Sequence, residues 1–307
     1  MPNNSTTVIW SNRHPRGCWD DTIFQGIFAR GNFTHITEFA NLRDDGAVVM
    51  FPAAHHQSDL AWINREINRL KWCVMVVYGD EENLFPAHLI RHPNMKLWYQ
   101  CPIPGVHDFA DRKIIFGYTP DTVPMIEKNR GTSRDLDWSF AGQVQTWNTR
   151  RIECVEQLQK FKDADGNGLF FTTPGFNQGL THEEYYELMC SAKVIPCPSG
   201  NGTPDSFRLA EALEAGCVPI ADGRNWRPHY PSGYWQNAFM VKDLCEQGYW
   251  LPFPIIDDWA DLPNIMKDTL ANWDALSRQC RGFWGAYKRE LCWDMDADIA
   301  KVKFQCR

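Results

Sequence analysis

Several features that would place this chain in a special class are missing. No window approaches the run of about 18 uninterrupted apolar residues that a membrane-spanning helix requires. The N-terminal stretch MPNNSTTVIWSNRHP has no basic segment followed by an apolar core, so it does not predict a signal peptide. The chain has no internal repeat and no low-complexity tract. These absences predict an ordinary globular protein without a membrane segment.

The cysteines form neither a disulfide framework nor a metal site in the sequence. There are 11 of them, scattered, with no C-x-x-C and no His and Cys cluster at zinc-binding spacing. Most lie inside apolar runs, as Cys73, Cys190 and Cys217 do. We therefore expect reduced, buried thiols and a cytoplasmic location.

The charge of the chain is not that of a general nucleic-acid binder. The formal net charge is −7. Residues 1–135 carry 14 Lys and Arg against 15 Asp and Glu, which leaves −1, and residues 136–307 carry 17 against 23, which leaves −6. A broad nucleic-acid surface is normally basic. The near-neutral first half argues weakly against such a partner.

The 307 residues are enough for two domains, and apolar runs of strand length alternate with helical patterns through both halves. We predict an N-terminal domain over 1–135 and a C-terminal domain over 136–307, joined by a linker within 119–135 that contains Pro120, Pro124 and Gly131. The predicted strands are 6–10, 46–54, 72–78, 96–100, 113–118, 136–141, 169–172, 192–197, 217–221 and 238–241. The predicted helices are 22–29, 60–70, 150–161, one before Ser191, one ending near Ala215, and 259–287.

The segment 191–222, SAKVIPCPSGNGTPDSFRLAEALEAGCVPIAD, is the most informative part of the chain. It predicts a buried strand, a Gly-containing loop, a helix and a second buried strand, which is half of a doubly wound α/β domain. Thr203 and Pro204 have the pattern of an N-cap followed by proline at the first helical position. Gly216 is expected to end the helix in the left-handed conformation.

A Gly-containing loop that leads into a helix N-terminus can bind an anion, because backbone N–H groups and the helix dipole point toward it. The residues expected to surround a diphosphate are Ser199, Gly200, Asn201, Gly202 and Ser206. Arg208 can neutralise phosphate, and Glu211, three residues further along the same helix face, can accept hydrogen bonds from ribose hydroxyls. The alternative is an exposed Arg–Glu pair beside an ordinary turn.

The residues of this segment resemble a known family. The runs 197–200 (CPSG), 206–208 (SFR) and 211–220 (EALEAGCVPI) are similar to the nucleotide-sugar motif of exostosin-like glycosyltransferases. The runs 138–142 (WSFAG), with Arg150 and Arg151 after them, and 185–189 (YYELM) also resemble that family. The match covers roughly 134–222, and the most specific part is 211–220.

The resemblance implies a GT-B fold, in which two Rossmann-like domains face each other across a cleft. It implies that the second domain binds the nucleotide-sugar donor, with a uridine base, and that the first binds the acceptor. The site residues that it places around the donor are Gly142, Arg150, Arg151, Ser206, Phe207, Arg208 and Glu211, with Arg151 preferred over Arg150. Thr173 begins a loop, 173–180, that we expect to line the base.

An inverting transfer needs a group that takes the proton of the acceptor hydroxyl. Asp80 follows the clearest buried strand of the first half and is the first candidate, and Asp20 is the second. A solvated acidic turn at Asp80 and helix capping at Asp20 are the alternatives. His55 and His56 end another strand but lack a third ligand at metal-binding spacing.

The sequence therefore predicts a metal-independent glycosyltransferase whose partners are a nucleotide sugar and a hydroxyl acceptor. The acceptor is a glycan or glycoconjugate, or a hydroxymethylated DNA base that would have to be flipped out of its helix. Two other functions remain open. One is a non-catalytic module that binds sugar nucleotides, and the other is a GT-B-like epimerase that consumes the donor without an acceptor.

Overall fold

The computed structural model describes residues 5–10, 21–42, 45–53, 59–164, 166–173, 175, 178–227, 230–240 and 250–306. The chain forms two compact units. The first comprises Met1–Phe116, Asn237–Met240 and Ala286–Arg307, and the second comprises Gly117–Gln236 and Val241–Gly285. The units therefore divide after Phe116, whereas the sequence suggested a boundary near residue 135.

The first unit contains a six-stranded parallel sheet with the strand order β2-β1-β3-β4-β5-β6. Its strands are β1 (Thr6–Trp10), β2 (Phe33–Ile36), β3 (Gly46–Pro52), β4 (Trp72–Tyr78), β5 (Met95–Gln100) and β6 (Arg112–Ile114). Its helices are α1 (Thr22–Phe28) and α2 (Leu60–Ile67), with short 3-10 turns at Phe39–Asn41 and Ala87–Leu89. All residues of β3 and β4 are buried, as expected for central strands of a parallel sheet covered on both faces.

The second unit contains a five-stranded parallel sheet with the strand order β11-β10-β9-β7-β8. Its strands are β7 (Leu136–Gln143), β8 (Gly168–Thr173), β9 (Ala192–Cys197), β10 (Val218–Asp222) and β11 (Ile255–Ile256). Its helices, in chain order, are α3 (Thr122–Lys128), α4 (Thr149–Asp163), α5 (His182–Cys190), α6 (Phe207–Ala215), α7 (Tyr234–Ala238), whose last two residues belong to the first unit, and α8 (Leu262–Ala271). Two parallel-sheet α/β units are what the sequence predicted, and this part of the fold prediction is confirmed.

The predicted linker contains a helix that the sequence did not suggest. Helix α3 buries Thr122 and Ile126 and lies against α5. Pro124 made this segment look non-helical, but it stands in the first turn, where its missing N–H group has no intrahelical partner to lose.

The C-terminal region differs from its prediction in two ways. The strand expected at 238–241 is wrong for its described part, because Tyr234–Ala238 is the helix α7. The helix expected over 259–287 is three elements: a 3-10 turn (Trp259–Asp261), α8, and a long α9 (Trp273–Gln305). The first part of α9 belongs to the second unit, and from Ala286 onward it belongs to the first.

The cysteines agree with the expectation of buried thiols. The nine described ones are free, and seven of them are buried. Within the described ranges, no group of three or more His, Cys, Asp or Glu side chains has the arrangement of a metal site. None of the helices described is both long and apolar enough to span a membrane.

Candidate functional site

The loop 198–206 connects β9 to α6 at the C-terminal edge of the second sheet. Helix α6 begins at Phe207, with Ser206 as an extended N-cap, so the predicted helix start at Thr203 is wrong. Thr203 instead accepts a hydrogen bond from the backbone N–H of Asp205 through its Oγ1 atom at 3.2 Å, which makes this stretch a turn. Gly216 ends the helix with φ +75°, as predicted.

Two serine hydroxyl groups of this loop have no partner within the described part of the chain. Ser206 is the N-cap residue, yet its side chain makes no capping hydrogen bond. The Oγ atoms of Ser199 and Ser206 are both buried, and neither has a hydrogen-bond partner among the described residues. Buried hydroxyls are usually hydrogen-bonded, so these two groups have unused hydrogen-bonding capacity at the loop.

Arg208 is a buried cation on the first turn of α6, with 8% of its surface exposed. Its Nη2 atom donates to the carbonyl oxygen of Ala141 at 2.7 Å, and its guanidinium lies over the ring of Phe140, 4.5 Å from the centroid. Its Nε and Nη1 atoms have no hydrogen-bond partner among the described residues. A guanidinium held in this way has two donor nitrogens, Nε and Nη1, with a fixed orientation.

Gly142 makes the position of Arg208 possible. A Cβ atom at Gly142 would lie 2.1 Å from Nη2 of Arg208, closer than real contacts allow. The family resemblance places Gly142 beside the donor, and in the structure the group that approaches Gly142 is the guanidinium of Arg208. Gly142 thus leaves the space that the side chain of Arg208 occupies.

Glu211 is buried one turn further along α6, with 4% of its surface exposed. The hydroxyl of Tyr185 donates to its Oε2 atom at 2.7 Å, and that of Tyr186 donates to its Oε1 atom at 2.9 Å. Burial raises the pKa of Glu211, and the two tyrosine hydrogen bonds and the charge of Arg208 oppose this. Each carboxylate oxygen keeps a second lone pair that can accept another hydrogen bond.

Tyr186 also contacts α3, the helix that was not predicted from the sequence. The hydroxyl of Tyr186 lies 2.6 Å from Oγ1 of Thr122 on α3 and 3.0 Å from Oγ1 of Thr119. The sequence analysis placed Tyr185 and Tyr186 only in the helix before Ser191 and gave them no role at the site. No local pattern joins them to Glu211, because the contact forms between α5 and α6.

The base of the loop is fixed by Arg151 and Asn148. Arg151 donates from Nε to the carbonyl oxygen of Ser199 and from Nη1 to that of Gln143, each at 2.9 Å. Asn148 donates from Nδ2 to the carbonyl oxygens of Ser199 and Gly200, each at 3.3 Å. Arg151 is thus at the predicted loop, where two of its donors bind backbone oxygens. Asn148 was not predicted.

Arg150 points into a different environment from its neighbour. Its Nη2 atom lies 2.6 Å from Oδ1 of the buried Asp222, and its Nη1 atom lies 2.9 Å from Oε2 of Glu153. Asp222 also accepts hydrogen bonds from the backbone N–H of Ser199 and from Nε1 of Trp259, each at 3.1 Å. Arg150 therefore forms a buried ion pair that anchors β10 and the start of the loop.

Gly200 and Asn201 shape the middle of the loop. A Cβ atom at Gly200 would lie 2.2 Å from the carbonyl oxygen of Asp205, so the loop closes tightly on itself here. The carbonyl oxygen of Asn201 accepts a hydrogen bond from Nε1 of Trp226 at 2.8 Å, and the Trp226 ring contacts that of Trp147 edge to face, with the centroids 5.0 Å apart. This aromatic pair beside the loop was not predicted.

Thr173 and Phe207 are the remaining predicted donor residues. Thr173 ends β8, and its Oγ1 atom donates to the carbonyl oxygen of Gly175 at 3.0 Å. The loop 198–206 follows β9, and β7 lies between β9 and β8 in the sheet. Thr173, at the end of β8, is therefore two strands away from the strand that leads into the loop. Phe207 is the first residue of α6 and is half-buried.

Asp80 is the predicted catalytic base of the first unit, and it is buried just after β4. Its Oδ1 atom accepts from the backbone N–H of Leu84 at 2.9 Å, and its Oδ2 atom accepts from Phe85 N–H at 3.0 Å and from the Tyr99 hydroxyl at 2.6 Å. Burial raises its pKa, and these hydrogen bonds oppose the rise. The carboxylate thus ties down its own turn, and its catalytic role stays a prediction. Asp20, His55 and His56 lie outside the described residues.

The sequence matches no known protein family and no curated protein. Among solved structures, the chain is similar to an α1,3-fucosyltransferase at 11% identity, over 91% of this chain and 83% of that one, with a TM-score of 0.45. It is also similar to HepE of Anabaena in complex with UDP at 8% identity, over 95% of this chain and 100% of that one, with a TM-score of 0.44. Because both TM-scores are below 0.5, we base the functional proposal on the site itself.

Proposed function

We propose that the second unit binds a nucleotide sugar through the loop 198–206 and α6, and that the protein is a glycosyltransferase. The observation that carries the proposal is the guanidinium of Arg208, which is buried beside a helix N-terminus and has two donor nitrogens, Nε and Nη1, without an acceptor among the described residues. A buried cation with unengaged donors fits a diphosphate, whose oxygens accept charge-assisted hydrogen bonds. The Oγ atoms of Ser199 and Ser206 add two further groups at the same loop.

Glu211 supports a nucleotide rather than a simple phosphate. It lies on the same helix face as Arg208, and Tyr185 and Tyr186 fix both of its oxygens. The remaining lone pairs of a fixed carboxylate suit the two hydroxyls of a ribose. The predicted uridine base and the exostosin-like relationship belong to this proposal.

In the proposed reaction, an acceptor hydroxyl oxygen attacks the anomeric carbon of the donor as the bond from that carbon to the diphosphate oxygen breaks. The configuration inverts, a base takes the hydroxyl proton, and the nucleoside diphosphate leaves. Arg208 and the α6 N-terminus stabilise the negative charge that develops on the leaving group. We propose that these groups do so without a metal ion and that Asp80 or Asp20 is the base. The acceptor is a glycan, a glycoconjugate or a hydroxymethylated DNA base.

The first experiment is a thermal shift measurement with UDP, GDP, CMP, ADP and dTDP, with and without EDTA, on the wild type and on Glu211→Ala. A nucleotide at 100 times its dissociation constant should stabilise the fold by about 2.7 kcal/mol. Stabilisation by one nucleotide in the wild type and not in the variant supports the donor site and identifies the nucleobase of the donor. No shift with any nucleotide, in a protein that melts cooperatively, would overturn the proposal.

Turnover then separates the enzyme from its alternatives. Transfer of sugar to an acceptor that is lost in Asp80→Asn, with nucleotide affinity unchanged, supports both the activity and the predicted base. Donor consumption without an acceptor indicates an epimerase. Binding without any turnover, in the presence of glycans and of hydroxymethylated DNA, indicates a module that only binds nucleotides.

A further inference from the structure

Three buried polar residues of the second unit form a hydrogen-bonded series that ends at Glu211. The series runs from Thr122 on α3 to Tyr186 on α5 and then to Glu211 on α6, and the exposed fractions of these residues are 0%, 2% and 4%. The Oγ1 atom of Thr122 lies 2.6 Å from the hydroxyl oxygen of Tyr186, and that oxygen lies 2.9 Å from Oε1 of Glu211. The series thus connects α3 to the carboxylate through the tyrosine.

The protons available fix the donor of each hydrogen bond in this series. Two tyrosine hydroxyls donate to Glu211, which favours its ionised form, and an ionised carboxylate only accepts. Tyr186 has a single hydroxyl proton and donates it to Glu211, so the proton between Thr122 and Tyr186 is that of the threonine. A hydroxyl whose oxygen accepts a hydrogen bond becomes a stronger donor. Thr122 therefore strengthens the hydrogen bond by which Tyr186 holds Oε1.

Both oxygens of Glu211 are held by the protein and can still accept from a ligand. Tyr185 holds Oε2 at 2.7 Å, as Tyr186 holds Oε1, and each oxygen keeps one further lone pair. A ligand that uses both lone pairs must bring two neighbouring hydroxyl groups, as a ribose does at its 2′ and 3′ positions. A 2′-deoxyribose brings only one and leaves a buried acceptor unpaired, and a site built for a hydroxyl rejects an analogue that lacks it.

We propose that Thr122 and Tyr186 are positioning residues that hold the carboxylate of Glu211 for two ribose hydroxyls, so that the site selects a ribonucleoside diphosphate over its 2′-deoxy form. The inference rests on the nucleotide site proposed above. Tyr186 acts through Glu211, and Thr122 acts through Tyr186. The wild type should bind UDP at least about tenfold more tightly than dUDP, or show the same preference for whichever nucleoside diphosphate it binds.

The test is isothermal titration calorimetry with the ribo and 2′-deoxy forms of the same nucleoside diphosphate, and the measured quantity is the ratio of their affinities. Tyr186→Phe removes only a hydroxyl and releases Oε1, so the ratio should fall at least about fivefold. Thr122→Val is nearly isosteric and weakens the same hydrogen bond indirectly, so the ratio should fall by a smaller factor, at least about twofold. A loss of folding alone would weaken both ligands equally and leave the ratio unchanged.

Thr269→Val is the matched control. Thr269 is also buried, and its hydroxyl donates to the carbonyl oxygen of Ile265 within α8 at 2.7 Å, so the substitution removes a comparable hydrogen bond outside the series. The affinity ratio should stay at the wild-type value. An unchanged ratio in Tyr186→Phe, or a wild type that binds both forms equally, would overturn this inference and leave the nucleotide site in place. No binding of either form would overturn the nucleotide site and this inference with it.

Discussion

The sharpest prediction concerns Arg208→Met, which removes the guanidinium and keeps an unbranched apolar side chain against Phe140. In the proposed complex, Nε and Nη1 of Arg208 each donate to a diphosphate oxygen. A hydrogen bond to a charged group contributes about 1.5 kcal/mol or more, so losing two costs about 3 kcal/mol. The affinity for the nucleoside diphosphate should fall by about a factor of 150.

The nucleoside without phosphates provides the control for this prediction. Isothermal titration calorimetry should show the large loss for UDP, or for whichever diphosphate the wild type binds, and no loss for the matching nucleoside. Arg208→Lys keeps the charge but not the two oriented donors. Its diphosphate affinity should fall at least about tenfold, which is less than the fall expected for Arg208→Met. An equal loss for nucleoside and diphosphate would mean that Arg208 only supports the fold of the loop. No loss for either ligand would refute the assignment of the phosphate site.

Three further substitutions test the surroundings of Arg208. Gly142→Ala should displace the guanidinium and lower diphosphate affinity about tenfold or more in calorimetry, with nucleoside affinity unchanged; equal affinity for the diphosphate would contradict this. Asp222→Asn removes the buried anion of Arg150 and leaves it only the partly exposed Glu153, so it should lower the free energy of unfolding by about 3–5 kcal/mol in urea titrations, and a loss under about 1 kcal/mol would contradict the buried pair. The folded state raises the pKa of Glu211, so folding takes up a proton and stability falls as pH rises through the interval between the unfolded and folded pKa values. Glu211→Gln should flatten that decline in melts across pH, and an unchanged slope would contradict it.

The strands that could be predicted most closely are those whose signal is local. Trp72–Tyr78 and Ala192–Cys197 have the predicted bounds at both ends, because continuous apolar runs of strand length are typical of central parallel strands. Phe33–Ile36 and Ile255–Ile256 were missed. Both are edge strands with mixed burial, and their partners lie far away in the sequence, so no local run marks them.

Helix boundaries were also predicted less closely than the helices themselves. Thr203 and Pro204 have the letters of a helix start, but the chain turns once more before α6 begins at Phe207. Asn272 interrupts the apolar periodicity of the C-terminal region without a proline or glycine, so the break between α8 and α9 has no strong signal. A local signal predicts a helix more reliably than its first residue.

In the candidate site, relations within one helix could be predicted from the sequence, whereas contacts between separate elements could not. Arg208 and Glu211 could be predicted because three residues of separation on a helix fix a common face. The family resemblance preferred Arg151 over Arg150, but no pattern in the residues themselves separates these neighbours, because only the fold decides that Arg150 meets Asp222 and Arg151 meets the loop. The tyrosine contacts of Glu211 join two helices, so no spacing along the chain could have indicated them.

The missing side chain at Gly142 restricts the order in which this sequence can change. While Arg208 is present, any larger residue at position 142 meets the guanidinium at 2.1 Å. If a shorter side chain first replaced Arg208, the same change at 142 would meet much less resistance. Positions 142 and 208 should therefore vary together among related chains, and a relative that has lost its glycine should already have lost the arginine.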